Sequence, residues 1–218
     1  MQTPPNRKAS RSVPLVASLV LAAVALALGP LASSAMDANH ADHHAHHHHD
    51  DASRGEGYVR SQATYALPDV QLVDADGKRV PLRGALAATE PVILNFIFTT
   101  CGAVCPVMSA TFSELQTALA DRADVRLLSI SIDPEEDTPA ALKAYADRYG
   151  AGPQWRMLTG TLADSIAVQR AFGVYRGDKM NHAPATFLRA APDQPWVKLD
   201  GFGSAADIVR ELQRLQTN

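Results

Sequence analysis

The sequence predicts an α/β domain in which a central mixed sheet is flanked by helices. Two nearly continuous apolar runs, Pro91 to Phe98 and Val125 to Ile132, have the character of strands buried on both faces. Each is followed by apolar residues at helical spacing: Met108, Phe112, Leu115 and Leu119 after the first, Leu142 and Tyr145 after the second. Between the first run and its helix stand the only two cysteines of the chain, Cys101 and Cys105.

The elements follow in order. Arg7, Lys8 and Arg11, then an apolar stretch from Val13 to Leu28, then the small residues Ser33, Ser34 and Ala35, make the three-part pattern of an export signal. The apolar stretch is shorter than the roughly 20 residues that span a bilayer comfortably, which favours cleavage after Ala35 over retention as a membrane anchor. Either outcome places the remainder outside the cytoplasm, in the periplasm or anchored at the inner membrane facing it. Residues 40 to 50 hold seven of the eight histidines, and the segment 36–57 lacks the apolar residues to build a core, so it is expected to be disordered. Clustered imidazoles bind divalent Cu, Zn or Ni loosely, and a metal-gathering arm is the preferred reading. An expression tag normally sits unbroken at a terminus, whereas this tract is interrupted by Asp42 and Ala45.

Residues 58–218 are enough chain for one domain. Val70 to Val73 and Arg79 to Leu82 around Asp76-Gly77 predict an N-terminal β-hairpin. The two buried strands and their helices come next. Thr138-Pro139 is an N-cap and first-turn pair, and the helix it starts closes near Gly150. Trp155 to Leu158 reads as a third strand and Leu162 to Phe172 as a third helix. Thr186 to Arg189 and Trp196 to Leu199 form a second hairpin, and Ser204 with Asp207 caps a last helix bearing Ile208, Leu212 and Leu215. This order, with cysteines at the carboxyl end of the first central strand, is that of a thioredoxin-like fold. A net charge of −3 leaves no basic face for nucleic acid, so proteins and metal ions are the expected partners.

Pro106 belongs in the first turn of its helix, where its missing N–H is no loss, so the cysteines lie at or just before the helix N-terminus. Free backbone N–H groups and the helix dipole there favour thiolates, and a lowered thiol pKa is expected of the pair. Residues four apart face the same way, so the two sulfurs can meet one ion or each other. The competing readings are two inert core cysteines or a purely structural disulfide, which across so short a loop adds little stability.

His182 is the only histidine outside the tract, in a polar loop that leads into a strand. In a thioredoxin-like sheet that loop comes close to the cysteine loop. Two thiolates and one imidazole make a soft trigonal set suited to Cu(I), whereas structural Zn usually takes four protein ligands. Pro184 enters its strand as the proline facing the active cysteines of thioredoxins does, which makes it a candidate for a cis peptide and a point in favour of redox chemistry. Met108 is read as core rather than as a sulfur ligand. Asp133 either orients a ligand from behind or begins a turn.

Three motifs in this order, Phe98-Thr-Thr-Cys-Gly-Ala-Val-Cys-Pro106, Ser129-Ile-Ser-Ile-Asp-Pro-Glu-Glu-Asp-Thr-Pro139 with Leu142-Lys-Ala-Tyr145, and His182 before a strand, resemble the Sco (SenC) family. That family comprises copper-binding, thioredoxin-like proteins associated with cytochrome c oxidase assembly. The resemblance covers Tyr65 to Leu215. It implies that Cys101, Cys105 and His182 bind copper and that the two cysteines can form a disulfide. The implied partners are a cytochrome c oxidase copper subunit and a thiol-disulfide reductase. Gly102 and Asn181 stand where the common pattern has proline and aspartate, and Pro184 is a further departure. The sequence thus leaves two functions open: a copper chaperone and an exported thiol-disulfide oxidoreductase. A cysteine hydrolase with His182 as base is a distant third, since no orienting group or oxyanion site can be read from the chain.

Overall fold

The computed structural model describes residues 57–87 and 89–217. The predicted export signal and most of the histidine-rich segment lie outside the described residues. Among those described, no helix is long and apolar enough to cross a membrane.

The elements are β1 (Tyr58–Ala63), β2 (Gln71–Asp74), β3 (Arg79–Pro81), α1 (Leu82–Leu86), β4 (Val92–Ile97), α2 (Val104–Ala118), β5 (Arg126–Ser131), α3 (Pro139–Arg148), β6 (Trp155–Thr159), α4 (Leu162–Ala171), β7 (Ala185–Arg189), β8 (Trp196–Gly201) and α5 (Ala205–Thr217). A short 3-10 turn at Lys179–Asn181 precedes β7. The strands form one mixed sheet in the order β1-β8-β7-β4-β5-β6-β2-β3. The strands β4, β5 and β6 run parallel, and the remaining pairings are antiparallel. The mixed, helix-flanked sheet and the N-terminal hairpin agree with the sequence reading.

All six residues of β4 are buried, as its unbroken apolar character requires of a strand paired on both sides. Its register, Leu94 opposite Leu128 of β5 and Phe187 of β7, fixes which ends meet. Because β4 and β7 are antiparallel, the end of β4, from which the cysteine turn departs, lies beside the start of β7, from which the His182 loop arrives. An aromatic cluster locks that arrangement: Phe172, just past α4, meets Phe187 at 5.1 Å and Phe96 at 5.6 Å between ring centroids.

The capping signals form as predicted. Thr138 Oγ1 accepts the Ala141 amide at 3.2 Å, and Gly150, with φ 64°, turns the chain beyond α3. Ser204 and Asp207 exchange bonds at the head of α5: the Asp207 amide donates to Ser204 Oγ and the Ser204 amide to Asp207 Oδ2.

Three features depart from the sequence reading. Strand β1 pairs with β8 at the sheet edge, where no strand was predicted. The one-turn helix α1 takes up Leu82, read above as the end of a strand. The bond before Pro184 is trans, as all described peptide bonds are. The chain approaches β7 already extended, and the Pro184 carbonyl accepts the Gly201 amide at 2.9 Å, prolonging the β7–β8 ladder without a reversal.

Candidate metal and thiol site

The cysteine turn is built on the end of β4. Phe98 ends the buried run, its carbonyl accepts the Cys101 amide at 3.1 Å, and α2 begins three residues later. Cys101 is half-buried in that turn. Cys105 is the second residue of α2 and is fully buried. Pro106 falls in the first helical turn, as expected. Both cysteines are free thiols, and the Cys105 amide donates to Cys101 Sγ at 3.3 Å.

The pair is electrostatically unequal. Burial opposes ionisation of Cys101, yet the amides of Cys105, Ala103 and Val104 and the Cys105 thiol outweigh it, so the Cys101 pKa lies below the ordinary thiol value. Burial pushes Cys105 far up, the Phe98 backbone only partly offsets this, and negative charge on Cys101 and Asp137 adds to it. The expected lowering therefore holds for Cys101 alone. A helix N-terminus stabilises a thiolate that its amides can reach, and the Cys105 side chain points inward from them to the core.

His182 closes the 3-10 turn, its amide bonded to the Lys179 carbonyl at 3.0 Å. Its Nε2–H donates to the Phe96 carbonyl at 3.0 Å. A carbonyl can only accept, so the proton belongs on Nε2 and the Nδ1 lone pair is the one left for a metal. Burial lowers the His182 pKa against the raising effect of the Phe96 carbonyl, with Arg176 lowering it further, so the ring is held in the neutral form that a metal ligand requires. Its ring meets Phe98 edge-on at 6.3 Å between centroids. His182 also borders a cleft of about 380 Å³ lined by Asp133, Leu162, Gln169, Tyr175 and Lys179, among others.

The structure thus brings the two cysteines into contact and seats His182 on the same strand end, with Phe98 touching both. Among the described residues, no three His, Cys, Asp or Glu side chains are already assembled around a metal-sized space. The donor set, two thiols and a neutral imidazole, has the chemistry of a soft-metal site. Met108 is buried, in keeping with its core assignment.

Sequence reading named Asp133 as a support or a turn residue but missed Asp137, Thr99 and Lys179, which hold the two arms of the site with it. Asp137 is fully buried and accepts the Thr99 amide at 3.0 Å, the Thr99 hydroxyl at 2.6 Å and the Ser131 hydroxyl at 2.6 Å. Asp133 is ion-paired with Lys179 at 2.5 Å, and the Lys179 ammonium lies 5.8 Å from the Phe98 ring centroid. The available signal was a second aspartate four positions after Asp133 at the end of a buried strand.

The chain matches the SCO1/SenC family over residues 60–217. It is 36% identical over 108 residues to the SCO1 protein homolog of Bacillus subtilis, covering 49% of this chain and 55% of that protein. The chain spans about half the length of curated relatives that it matches. Among solved structures it is similar to BsSco, described as having a disulfide switch and as a member of the Sco family of cytochrome c oxidase assembly proteins. The identity there is 29% and the TM-score 0.61, over 73% of this chain and 98% of that one. It is also similar to copper-bound ScoI of Bradyrhizobium japonicum, at 26% identity and a TM-score of 0.56, over 69% of this chain and 99% of that one. A match running from β1 into α5, and so through the cysteine turn, the Asp133–Asp137 turn and the His182 loop, makes this chain a member of the SCO1/SenC family.

Proposed function

We propose that this chain is a copper chaperone that holds Cu(I) through Cys101, Cys105 and His182 and passes it by ligand exchange to an exported or membrane protein, the copper centre of cytochrome c oxidase. The observation that carries the reading is the shared strand end. Phe98 binds the Cys101 amide through its carbonyl and meets the His182 ring through its own, while the Phe96 carbonyl takes the Nε2 proton and leaves Nδ1 open. Copper-bound and oxidase-assembly relatives support the choice of metal and recipient. Loading deprotonates both thiols, the metal's charge making up for the burial that holds Cys105 protonated. In this reading the export segment carries the domain out of the cytoplasm and the histidine-rich arm raises copper locally.

The experiment is a competition titration of the reduced protein against a chromogenic Cu(I) chelator. One ion per chain, lost in Cys101→Ser and weakened about tenfold or more in His182→Ala, is expected. Undiminished affinity in His182→Ala refutes the three-ligand site.

The unequal thiols favour a second reading, a thiol-disulfide reductase. The Cys101 thiolate attacks a partner's disulfide, forming a mixed disulfide and releasing one partner thiolate. Cys105 then loses its proton and attacks Cys101 Sγ, which releases the second partner sulfur and leaves a Cys101–Cys105 disulfide. Two electrons pass to the partner. Reduction of a protein disulfide by His182→Ala at the parent rate, with no copper affinity in the parent, selects this reading.

A further inference from the structure

The turn between β5 and α3 reaches both arms of the proposed site. Through Asp137 it holds Thr99, just ahead of the cysteine turn, by backbone and hydroxyl together. Through Asp133 it holds Lys179, in the 3-10 turn that ends at His182. The two aspartates are tied to each other. The Asp137 amide donates to the Asp133 carbonyl at 2.8 Å, and Ser131 Oγ, which donates to Asp137, accepts the Asp133 amide at 3.0 Å. A buried carboxylate is costly unless donors fill its lone pairs. Three donors fill Asp137, two from the cysteine arm and one from β5, so a shift of either segment leaves a buried charge short of a partner.

We infer that the Asp133–Asp137 turn is a bracket: Asp137 positions the thiol arm through Thr99, Asp133 positions the imidazole arm through Lys179, and together they limit the gap that a soft metal ion has to bridge. The inference rests on the reading of Cys101, Cys105 and His182 as one copper site. We assign both aspartates as positioning residues: Thr99 and Ser131 take both oxygens of Asp137, and Lys179 takes Oδ2 of Asp133. The bracket also makes physical sense of the spacing: two acidic residues four apart can serve two loops only if one tight turn carries both.

The test uses the full chain and two measurements. Cu(I) affinity is read by chelator competition, and the redox equilibrium of the cysteine pair by alkylation in glutathione buffers. The variants are Thr99→Val, Lys179→Met, Lys179→Arg, His182→Ala and the double variant Lys179→Met/His182→Ala. Thr99 and Lys179 are themselves only partly buried, so neither change opens a cavity in the core, and a urea melt of each variant shows that the fold is kept. Lys179→Met is expected to weaken Cu(I) binding about tenfold, Lys179→Arg to restore it, and Lys179→Met to add nothing once His182 is gone. It moves the redox equilibrium by clearly less than Thr99→Val does, because its ion pair acts on the imidazole arm and it meets the thiol arm only at the Phe98 ring. Thr99→Val weakens Cu(I) binding and also moves the redox equilibrium by about threefold or more.

The bracket is overturned if Lys179→Met weakens copper equally with and without His182, or if it moves the redox equilibrium as Thr99→Val does. It is also overturned if Lys179→Met binds as the parent does while His182→Ala is impaired. If the parent takes up no Cu(I), or His182→Ala binds as tightly, the copper reading has failed instead. The thiol half of the bracket then rests on Thr99→Val alone, and an unmoved redox equilibrium overturns it.

Discussion

The backbone N–H of Cys105 points at the sulfur of Cys101 across 3.3 Å, so the buried member of the pair helps to ionise the half-exposed one. The contact turns the spacing of the motif into a division of labour: an accessible, more acidic thiol in the turn and a thiol held protonated in the core.

Brief alkylation with iodoacetamide near pH 7, read by peptide mass spectrometry, is therefore expected to modify Cys101 and spare Cys105. As pH falls, the Cys101 rate persists to lower values than for a thiol of ordinary pKa of about 8.5. Modification of Cys105 first contradicts the assignment.

The His182 ring has a defined tautomer. Long-range proton–nitrogen spectra of the metal-free protein at pH 7 are expected to show the proton on Nε2, where the Phe96 carbonyl receives it. Since burial lowers the folded-state pKa, the unfolded chain binds this proton first as pH drops. His182 therefore contributes stability that is complete above its unfolded pKa of about 6.5 and is lost as pH falls toward the folded value. Urea midpoints of the parent and His182→Gln at pH 7.5 and pH 5 check the sign: the parent loses more on acidification.

The edge strand β1 is tied down by a buried charge. Arg60 Nε donates to Glu211 Oε2 at 2.8 Å, and Glu211 of α5 is fully buried and also paired with Arg214 at 2.5 Å. Arg60→Met is expected to cost about 2 kcal/mol, the scale of a hydrogen bond to a charged group, which lowers Tm by roughly 4–8 °C. Calorimetry that finds no change makes the pair a surface decoration.

The capping box of α5 offers a pH-dependent test of ordinary stability. Ser204→Ala is expected to cost about 1 kcal/mol at pH 7 in a urea melt. Burial opposes ionisation of Asp207, but bonds from Ser204 and the charge of Arg210 outweigh it and lower its pKa. Its contribution is thus present above the unfolded carboxylate value of about 3.9 and is lost as pH falls through the folded one. The difference between parent and variant shrinks as pH falls below the unfolded value of about 3.9, and a constant difference contradicts the carboxylate's part in the cap.

What could be read from the chain was whatever local chemistry dictates. Strands β4 and β5 were legible because burial on both faces demands unbroken apolar runs, and α3 and α5 because Thr138-Pro139 and Ser204 with Asp207 are caps that work through near neighbours. Strand β1 was not, because YVRSQA leaves its middle four residues exposed and owes its extended state to β8, far along the chain. The cysteines and His182 stood out by scarcity, but their support did not. Asp137 becomes meaningful only when folding brings Thr99 to it across 38 positions, and Cys105 departs from the thiolate rule because tertiary burial overrides the helix terminus.

The central claim is that two sulfurs and one ring nitrogen grip one ion. X-ray absorption at the copper edge of the Cu(I)-loaded reduced protein, with His182→Ala beside it, tests this directly. A first shell of two sulfurs and one nitrogen in the parent, with the nitrogen missing from the variant, is the predicted result. Two sulfurs alone in both proteins, or a nitrogen that survives the loss of His182, would contradict it.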